Sequence, residues 1–329
     1  MVVMRHTQSS EEARVTIVEL STRRSLGARC VALPLSVLLL CLCFLVSGCA
    51  GSGNDPSRES ADGSAQEGSQ EENEGPLTVS FIDIGQGDAV LVETGDESYL
   101  LDSGTPGQGD NVVEYLQDRG VDKLEGIVVS NPDFDHVGGF EDILLAFDVE
   151  EVYVSGDDKS TDTFNDFLVA VQAEGSQVIE ARAGLELTWG ESEAVVIAPP
   201  TDSEGGLFSE INDNSVAVLI THQGRRVLLA GDAEKREERY MANSPYAGPV
   251  DVLKVTHHGS DTSSTEEFLQ AFEPDIAVIQ VGEGNRYGHP KAGALSRLEA
   301  AGAEVYRNDQ DGDVVVEVEE GEVEVTEER

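Results

Sequence analysis

The stretch Ile127–Gly139, IVVSNPDFDHVGG, decides how the rest of this chain is interpreted. It begins as a buried apolar strand and runs directly into a loop that carries Asp133, Asp135 and His136. In extended backbone, residues two apart project to one side and the next residue projects to the other. Asp133 and Asp135 can therefore face one cation, while His136 reaches another cation or the opposite face of the same one. Asn-Pro-Asp is also good turn chemistry, so the loop taken alone leaves a purely structural interpretation open.

Three later segments also end an apolar run in polar side chains. They are Leu228–Asp232 (LLAGD), Val252–Ser260 (VLKVTHHGS) and Gly284–Pro290 (GNRYGHP). Any one of these Asp or His residues is more often a satisfied structural side chain. Together they supply several ligands on rigid strand ends with a position left for water, which is what a divalent cation requires in a catalytic site.

Apolar runs alternate along the chain with stretches of helical periodicity. Strand-like runs rich in Val and Ile occur at 77–84, 89–93, 99–102, 126–130, 151–154, 194–198, 216–221, 226–230, 252–255 and 276–281. Helical periodicity occurs at 111–119, 164–173, 234–241, 265–272 and 292–300, and the segments 314–318 and 322–325 are typical of a hairpin. Early hairpins followed by strands that alternate with helices predict an α/β fold in which helices cover sheets.

In this order the segments resemble the metallo-β-lactamase superfamily, and within it the hydrolase domain attached to the ComEC competence proteins. Eight motifs between residues 78 and 318 carry the resemblance: FIDIGQGDA (81–89), DSG (102–104), SNPDFDHVGG (130–139), NDNS (212–215), GD (231–232), HHGS (257–260), YGHP (287–290) and DQDG (309–312). The resemblance implies an αββα sandwich with one or two metal ions at the sheet edge that activate water.

The resemblance also implies a ligand set. The better-preserved metal position would consist of four residues: Asp135, His136, Asp232 and His258. Asp133 would belong to the other position, and His258 is preferred over His257 because the family's ligand usually precedes a glycine. That other position is weakened, because Asn131 stands where the family's metal loop usually begins with His. Carboxylate-rich coordination shifts the preference from Zn²⁺ toward Mn²⁺, so the expected cofactor is one or two ions of zinc or manganese.

The remaining site residues follow from the same resemblance. Asp135 would bridge or orient the nucleophile, and His289 would donate a proton to the leaving group. Ser260, Asn214 and Ser215 would contact the substrate. These assignments rest on the order of the motifs and not on geometry.

The first 49 residues are typical of a targeting segment and are excluded from fold reasoning. Arg23, Arg24 and Arg29 precede the apolar run Cys30–Val46, and small residues then lead to Cys49. This arrangement resembles a bacterial lipoprotein signal in which Cys49 is lipidated. The alternative is an uncleaved membrane anchor, because the run is only marginally short for a span. In either case we expect an exported protein that faces outside the cytoplasm, attached to the cell membrane through this segment.

The rest of the chain divides into a tether and a domain. Residues 50–76 contain no Val, Ile, Leu, Met or aromatic residue, which predicts a disordered acidic tether rich in Gly and Ser. Residues 77–329 fit one large hydrolase domain. All four cysteines lie within residues 1–49, so a metal site in the domain must use His, Asp and Glu.

The charge of the chain restricts its partners. It carries 64 Asp and Glu against 21 Lys and Arg, a formal net charge of −43. Such a surface keeps an exported protein soluble and repels polyanions. Long nucleic acid is therefore a disfavoured substrate, and a small or short phosphoester is the expected one.

Two functions from different classes fit these residues. The first is a metal-dependent hydrolase, a phosphodiesterase or nuclease-like enzyme, with a lactonase or β-lactamase-like activity as an alternative within the class. The second is a binding or scaffold lipoprotein that kept the fold and lost turnover, an interpretation that Asn131 motivates. Buried carboxylates and imidazoles are costly to keep unpaired without a cation, which favours the enzyme.

Overall fold

The computed structural model describes residues 75–328 with the exception of residue 158. The signal segment 1–49, its Cys49 and residues 50–74 of the tether lie outside the described residues, so what the sequence indicates for them stays a prediction. Among the helices that the structure describes, none is both long and apolar enough to cross a membrane.

The strands, numbered in chain order, are β1 (Leu77–Phe81), β2 (Val90–Thr94), β3 (Glu97–Leu101), β4 (Leu124–Val129), β5 (Val149–Val154), β6 (Gln177–Glu180), β7 (Glu186–Trp189), β8 (Ser192–Ala198), β9 (Ala217–His222), β10 (Arg225–Leu229), β11 (Val252–Lys254), β12 (Ile276–Ile279), β13 (Glu304–Arg307), β14 (Asp313–Glu319) and β15 (Glu322–Glu328). The α-helices are α1 (Gly109–Asp118), α2 (Phe134–Val137), α3 (Phe140–Ala146), α4 (Asp162–Glu174), α5 (Lys235–Ala242), α6 (Glu266–Phe272), α7 (Ala292–Ala301) and α8 (Asn308–Asp311).

These strands form two sheets. The first has the order β15-β14-β1-β2-β3-β4-β5-β6, and the second has the order β13-β12-β11-β10-β9-β8-β7. Strands β3 to β6 run parallel to one another, as do β10 to β13, and the remaining pairs are antiparallel. The hairpin that the sequence predicts near the end is β14 and β15, with Glu319 opposite Glu322.

The alternation of side chains along each strand produces a four-layer arrangement. Val227 and Leu229 of β10 lie in the core between the sheets, whereas Leu228 between them packs on the opposite face. That outer face of the second sheet is covered by α5, α6 and α7, and the outer face of the first sheet is covered by α1, α3 and α4. The period of two in strand side chains therefore buries both faces of the central strands, while the edge strand β15 keeps one face exposed. The predicted αββα sandwich is confirmed.

The pattern does not predict six of these elements, which are β6, β7, β13, α2, α3 and α8. The three strands are only four residues long, and half or more of their residues are exposed or only partly buried. They also lie at or next to sheet edges, where burial imposes little hydrophobic alternation. Helix α3 follows Gly138 and Gly139 directly. Its start is therefore masked in the sequence by the glycine-rich end of the loop 130–139, which is called the metal loop below.

The parallel strands determine where polar loops meet. The carboxyl ends of parallel strands lie at one edge of a sheet, and the loops that leave them are neighbours in space. Asp102 follows β3, the loop with His136 follows β4, Asp232 follows β10, and His258 follows β11. Residues that are far apart in sequence and come from both sheets are thereby brought to one edge of the sandwich.

Candidate metal centre

Four buried side chains converge at this edge. Asp88, His136, Asp232 and His258 each offer a ligand atom, and these atoms all lie within 4.8 Å of one another. All four residues are at most 3% exposed. Two imidazoles and two carboxylates in such a volume form a donor set that suits zinc, manganese or iron.

His136 is held in one orientation from behind. Its Nδ1 lies 2.8 Å from Asp102 Oδ2, and the same carboxylate accepts hydrogen bonds from Ser130 N (2.8 Å) and Ser130 Oγ (2.6 Å). The opposite ring nitrogen, Nε2, lies 3.1 Å from Asp232 Oδ2 but has no hydrogen-bond partner within the described residues. Since Nδ1 donates its proton to Asp102, the Nε2 lone pair is free for a metal, which is the usual arrangement of a metal-binding histidine.

His258 repeats this arrangement from the other sheet. Its Nδ1 lies 2.8 Å from the carbonyl oxygen of Gln280, and its Nε2 has no hydrogen-bond partner among the described residues. The carboxylates nearest to Nε2 are Asp232 Oδ1 at 3.5 Å and Asp135 Oδ2 at 3.7 Å. The two imidazoles thus direct their Nε2 atoms toward the carboxylates of Asp232 and Asp135.

Asp88 lies on the opposite side of both rings. Its Oδ1 is 3.3 Å from His258 Nδ1, and its Oδ2 is 3.7 Å from His136 Nδ1. It forms an ion pair with the buried ammonium of Lys254, which also donates to the carbonyl oxygen of Gly231 at 3.0 Å. Burial alone would raise the pKa of Asp88, but Lys254, His258 and His136 outweigh it and lower the pKa to about 2. Asp88 is therefore an ionised support that faces the Nδ1 atoms.

The carboxylates and imidazoles of the cluster shift one another's pKa values. Burial alone would lower the pKa of His136, but Asp232 and Asp102 outweigh it and raise the pKa well above the usual value. Burial alone would raise the pKa of Asp232, but His258, His136 and His257 outweigh it and lower the pKa well below the usual value. The carboxylates thus attract positive charge, which a proton or a metal ion can supply. The orphaned Nε2 atoms and these carboxylates fit the metal that the fold family implies.

A cavity of about 110 Å³ opens onto the Nε2 side of the cluster. Its lining includes both predicted acids of the metal loop, but not Asp88, in keeping with the position of Asp88 behind the rings. The cavity is lined by Gln86, Asp133, Phe134, Asp135, Asp232, His257, His258, Tyr287 and His289.

Three residues of the site have left-handed backbone conformations. Asp102, His257 and His258 have φ of 59°, 49° and 50°, which costs about 1 kcal/mol or more for each residue. Glu238 of α5 holds the loop that carries His257 and His258 in place. Its carboxylate accepts hydrogen bonds from Thr256 Oγ1 (2.7 Å) and from the backbone of Thr265 (2.9 Å). Tertiary contacts therefore hold ligand-bearing residues in conformations that they would avoid in isolation.

A close backbone contact fixes the loop before Asp88. Gly87 has φ 124°, and a Cβ at this position would lie 2.5 Å from the carbonyl oxygen of Asp135. Only glycine allows this approach. The first motif is therefore packed directly against the metal loop, and the hydrogen bond from Asp88 N to Asp135 O (3.2 Å) joins them.

Two further histidines lie at the cavity. His257 Nδ1 lies 3.1 Å from Glu234 Oε1, and its Nε2 lies 3.7 Å from Asp232 Oδ2. His289 is half-buried, and burial together with the nearby His258 and His257 lowers its pKa to about 4. At neutral pH His289 is therefore an uncharged imidazole on the wall of the cavity.

The half of the metal loop that precedes Asp135 is organised differently. Asn131 Oδ1 accepts a hydrogen bond from the backbone of Asp133 (2.9 Å), and Asn131 Nδ2 donates to Ser130 Oγ (3.3 Å). Asp133 forms an ion pair with Lys159. The sequence places Asp133 at the second metal position, and here it faces an ammonium group.

The three residues predicted to contact substrate do not line the cavity. Asn214 is fully buried and donates to Asp157 Oδ2 at 2.7 Å, while its Oδ1 accepts from the backbone of Phe208 at 2.6 Å. Ser215 Oγ accepts a hydrogen bond from the backbone of Asp232 at 3.2 Å. Ser260 Oγ lies 2.8 Å from a neighbouring threonine hydroxyl. A substrate contact by these residues stays a prediction, and the structure places Ser215 directly behind the ligand Asp232.

Comparison with known proteins identifies the family. The family model described as the metallo-beta-lactamase superfamily matches residues 82–283. The chain belongs to this superfamily. Together with the buried His and Asp cluster, this membership makes the metallo-β-lactamase domain a metal-dependent hydrolase.

Curated relatives agree with the resemblance noted in the motifs. The metallo-β-lactamase domain is 30% identical over 254 residues to ComE operon protein 3 of Bacillus subtilis (strain 168), covering 72% of this chain and 32% of that protein. It is 31% identical over 244 residues to competence protein ComA of Neisseria gonorrhoeae, covering 73% and 32% respectively. The chain thus spans about a third of the length of these two relatives.

A solved structure agrees with the fold. The metallo-beta-lactamase fold protein YhfI from Bacillus subtilis has a TM-score of 0.51 at 13% sequence identity. The match covers 74% of this chain and 99% of that one. At this identity the likeness shows the shared fold.

Sequence reasoning missed several members of the metallo-β-lactamase site. Asp88 and Asp102 lie within motifs quoted for the resemblance, but no role was assigned to them. Lys254 is the single polar residue inside the apolar run VLKV, a pattern that signals a buried charge in need of a partner. Gln280, whose carbonyl oxygen orients His258, acts through its backbone and left no side-chain signal.

Proposed function

We propose that this protein is an exported, lipid-anchored metallohydrolase that cleaves a small or short phosphoester. The observation that carries the proposal is the pair of unpartnered Nε2 atoms of His136 and His258, directed toward Asp232 and Asp135. The ligands would be Asp135, His136, Asp232 and His258, with zinc or manganese as the ion. Asp88 would support the imidazoles from behind.

A divalent cation at this position supplies Lewis acidity, which lowers the pKa of water toward ~7 and polarises a phosphoryl oxygen. The residues of the chain then have distinct tasks. Asp135, at the junction of cluster and cavity, would orient the attacking water. His289, neutral at pH 7 because of its lowered pKa, would donate a hydrogen bond to the leaving-group oxygen.

Two cations at the rim of the cavity support an anionic substrate. Lys159 pairs with Asp133 on the cavity wall. The Arg286 guanidinium lies 5.7 Å from the ring of Phe134 and 4.8 Å from the ring of Tyr287, both of which line the cavity. In a chain with a net charge of −43, such cations reduce the local repulsion of a phosphate group. The overall charge still disfavours long nucleic acid.

The location of the activity is also part of the proposal. Lipidation at Cys49 would attach the protein to the cell membrane, and the tether would hold the domain away from the surface on the outer side. A peptide mass that corresponds to a diacylated Cys49 after membrane extraction would support this. A chain that keeps residues 1–48 would contradict it.

The enzymatic proposal is tested by metal content and turnover together. We expect near-stoichiometric zinc or manganese in the purified protein, measured by elemental mass spectrometry, and hydrolysis of bis(p-nitrophenyl) phosphate by the loaded protein. The Asp135→Ala variant should lose both, and Leu145→Ala, at an exposed position on α3, should lose neither. Absence of bound metal after incubation with excess Mn²⁺ and Zn²⁺ would exclude the hydrolase.

A second candidate is a binding or scaffold lipoprotein. It is favoured by Asn131 and Asp133, whose polar groups are engaged by other groups of the protein. The two candidates differ in turnover. A protein that binds one metal ion per chain and hydrolyses no phosphoester, lactone or β-lactam would be such a binder.

A further inference from the structure

The segment that follows β5 places a cation beside the metal loop. Lys159 belongs to this segment, and its ammonium forms an ion pair with Asp133 Oδ1. The side chains of Lys159 and Asp133 are 32% and 24% exposed, so the pair is partly accessible to solvent. Asp133 itself lines the cavity.

The two polar residues in this half of the metal loop, Asn131 and Asp133, are both engaged within the protein. Asn131 is 1% exposed, and both ends of its side-chain amide are used in hydrogen bonds within the loop. Amide ligation would require breaking these contacts, and amides are poor ligands for zinc. Asp133 is therefore the one carboxylate in this half of the loop, and the ammonium of Lys159 already neutralises it.

The charge of the cavity agrees with this arrangement. Three carboxylates line it: Asp133, Asp135 and Asp232. One divalent cation and the ammonium of Lys159 balance these three charges, and the guanidinium of Arg286 at the rim adds a further positive charge. An anionic phosphoester enters the balanced site without repulsion from its walls.

From these contacts we propose that Lys159 takes the place of a second metal ion. The site binds one divalent cation, and the ammonium of Lys159 holds a phosphoryl oxygen of the substrate. This inference rests on the proposed phosphoester hydrolysis and adds the metal count and a specificity residue. Lys159 reaches the substrate as a point charge, the role that lysine commonly has toward phosphate.

The test uses the full-length protein in detergent and three variants, Lys159→Met, Lys159→Arg and Lys123→Met. Lys123 is a matched control, because it is a half-exposed lysine that pairs with Glu125 and Glu150 at a distance from the cavity. Metal per chain is measured by elemental mass spectrometry after saturation with Mn²⁺ or Zn²⁺. Binding of inorganic phosphate to the loaded protein is measured by calorimetry, and KM and kcat are measured with bis(p-nitrophenyl) phosphate.

The wild type should bind one ion per chain. Lys159→Met should keep that ion, while its Kd for phosphate and its KM rise about 10- to 100-fold, the range for a lost hydrogen bond to a charged group. Lys159→Arg should restore most of the binding, and Lys123→Met should resemble the wild type.

Two ions per wild-type chain, or an unchanged phosphate Kd in Lys159→Met, would overturn the role of Lys159. These results are distinguishable from failure of the proposed function. A protein that binds one ion but hydrolyses no phosphoester refutes phosphoester hydrolysis, and the phosphate Kd of its Lys159→Met variant still decides whether the ammonium receives the anion. A wild type that binds no ion refutes both proposals.

Discussion

The two halves of the metal loop share a strand end and differ in what their polar atoms do. In the half around Asn131 and Asp133, the amide is bonded within the loop and the carboxylate faces Lys159. In the half around Asp135 and His136, the imidazole is fixed at Nδ1 and left open at Nε2. A ligand site is thus marked by polar groups that are held in place yet unsatisfied, and residue type alone does not distinguish the two halves.

The largest effect is expected from removing the imidazole that faces the open half from the other sheet, that of His258. His258→Ala deletes an Nε2 donor, so metal should fall well below one ion per chain and hydrolysis should drop by more than the 10- to 100-fold typical of outer-shell changes. Elemental mass spectrometry and initial rates measure both. The adjacent His257→Ala is the matched control, because His257 Nδ1 pairs with Glu234 and its Nε2 is 3.7 Å from Asp232. Equal metal loss in both variants would contradict the assignment of His258.

A smaller loss is expected when a ligand is kept and its support is removed. Asp102→Asn leaves His136 in place but replaces the charged acceptor at Nδ1 with an amide. Metal affinity should fall about 10- to 100-fold, as is usual for an outer-shell carboxylate, and competition with a chelator measures it. Asn131→Ala removes the long hydrogen bond to Ser130 Oγ but leaves the contact between Asp102 and His136 in place, so it should leave the affinity within a few-fold of wild type. An unaffected Asp102→Asn would show that the hydrogen bond does not orient the ligand.

Substitutions at Asn131 and Lys159 can also make the first half of the metal loop more similar to the half that carries Asp135 and His136. Asn131→His alone supplies an imidazole, but Asp133 remains paired with Lys159, so the ion count should stay at one. Combining Asn131→His with Lys159→Met frees the carboxylate, and a second, weaker ion should then bind at high Mn²⁺ or Zn²⁺. Titration followed by elemental mass spectrometry measures the stoichiometry. One ion in the double variant would mean that the half lacks further ligands, and two ions in Asn131→His alone would mean that Lys159 does not exclude a metal.

Most of the architecture could be predicted from the sequence, because it depends on local periodicity and on motif order. The strand-like runs at 77–84 and 226–230 became β1 and β10, and the helical run at 164–173 became most of α4. The edge strands β6 and β13 escaped prediction because none of their residues is fully buried, whereas β7 alternates but is only four residues long. Weak burial leaves weak alternation in the sequence.

The candidate site was only partly predictable, for a different reason. His136, Asp232 and His258 lie in one buried cluster, and Asp135 Oδ2 lies 3.7 Å from His258 Nε2, while their role as ligands stays a prediction. The roles of Asp88 and Lys254 depend on an ion pair between residues that are far apart in sequence, and the tautomer of His136 depends on Asp102. The pairing of Asp133 with Lys159 likewise joins two loops. Such partners appear only when the sheets are assembled.

The smallest effect is expected from Glu237, which supports the backbone of Asp232 through Ser215. This fully buried carboxyl accepts a hydrogen bond from the backbone of Ser215 (3.0 Å), whose Oγ in turn accepts from the backbone of Asp232. Glu237 Oε1 has no partner among the described residues, and burial together with Asp213 and Glu238 raises the pKa of this carboxyl well above 4.5.

Because the folded protein binds this proton more tightly than the unfolded chain, Glu237 favours folding at low pH. That contribution is lost as the pH rises from about 4.5 through the raised pKa. Glu237→Gln mimics the protonated form at every pH, so it should be more stable than the wild type at pH 8, by about 1 kcal/mol or more, and nearly equal to it at pH 4.5. Urea unfolding across this range measures the difference, with the exposed Glu322→Gln as control. A difference that does not change with pH would show that Glu237 stays ionised in the fold, and that the loop of Asp232 is held by a buried charge.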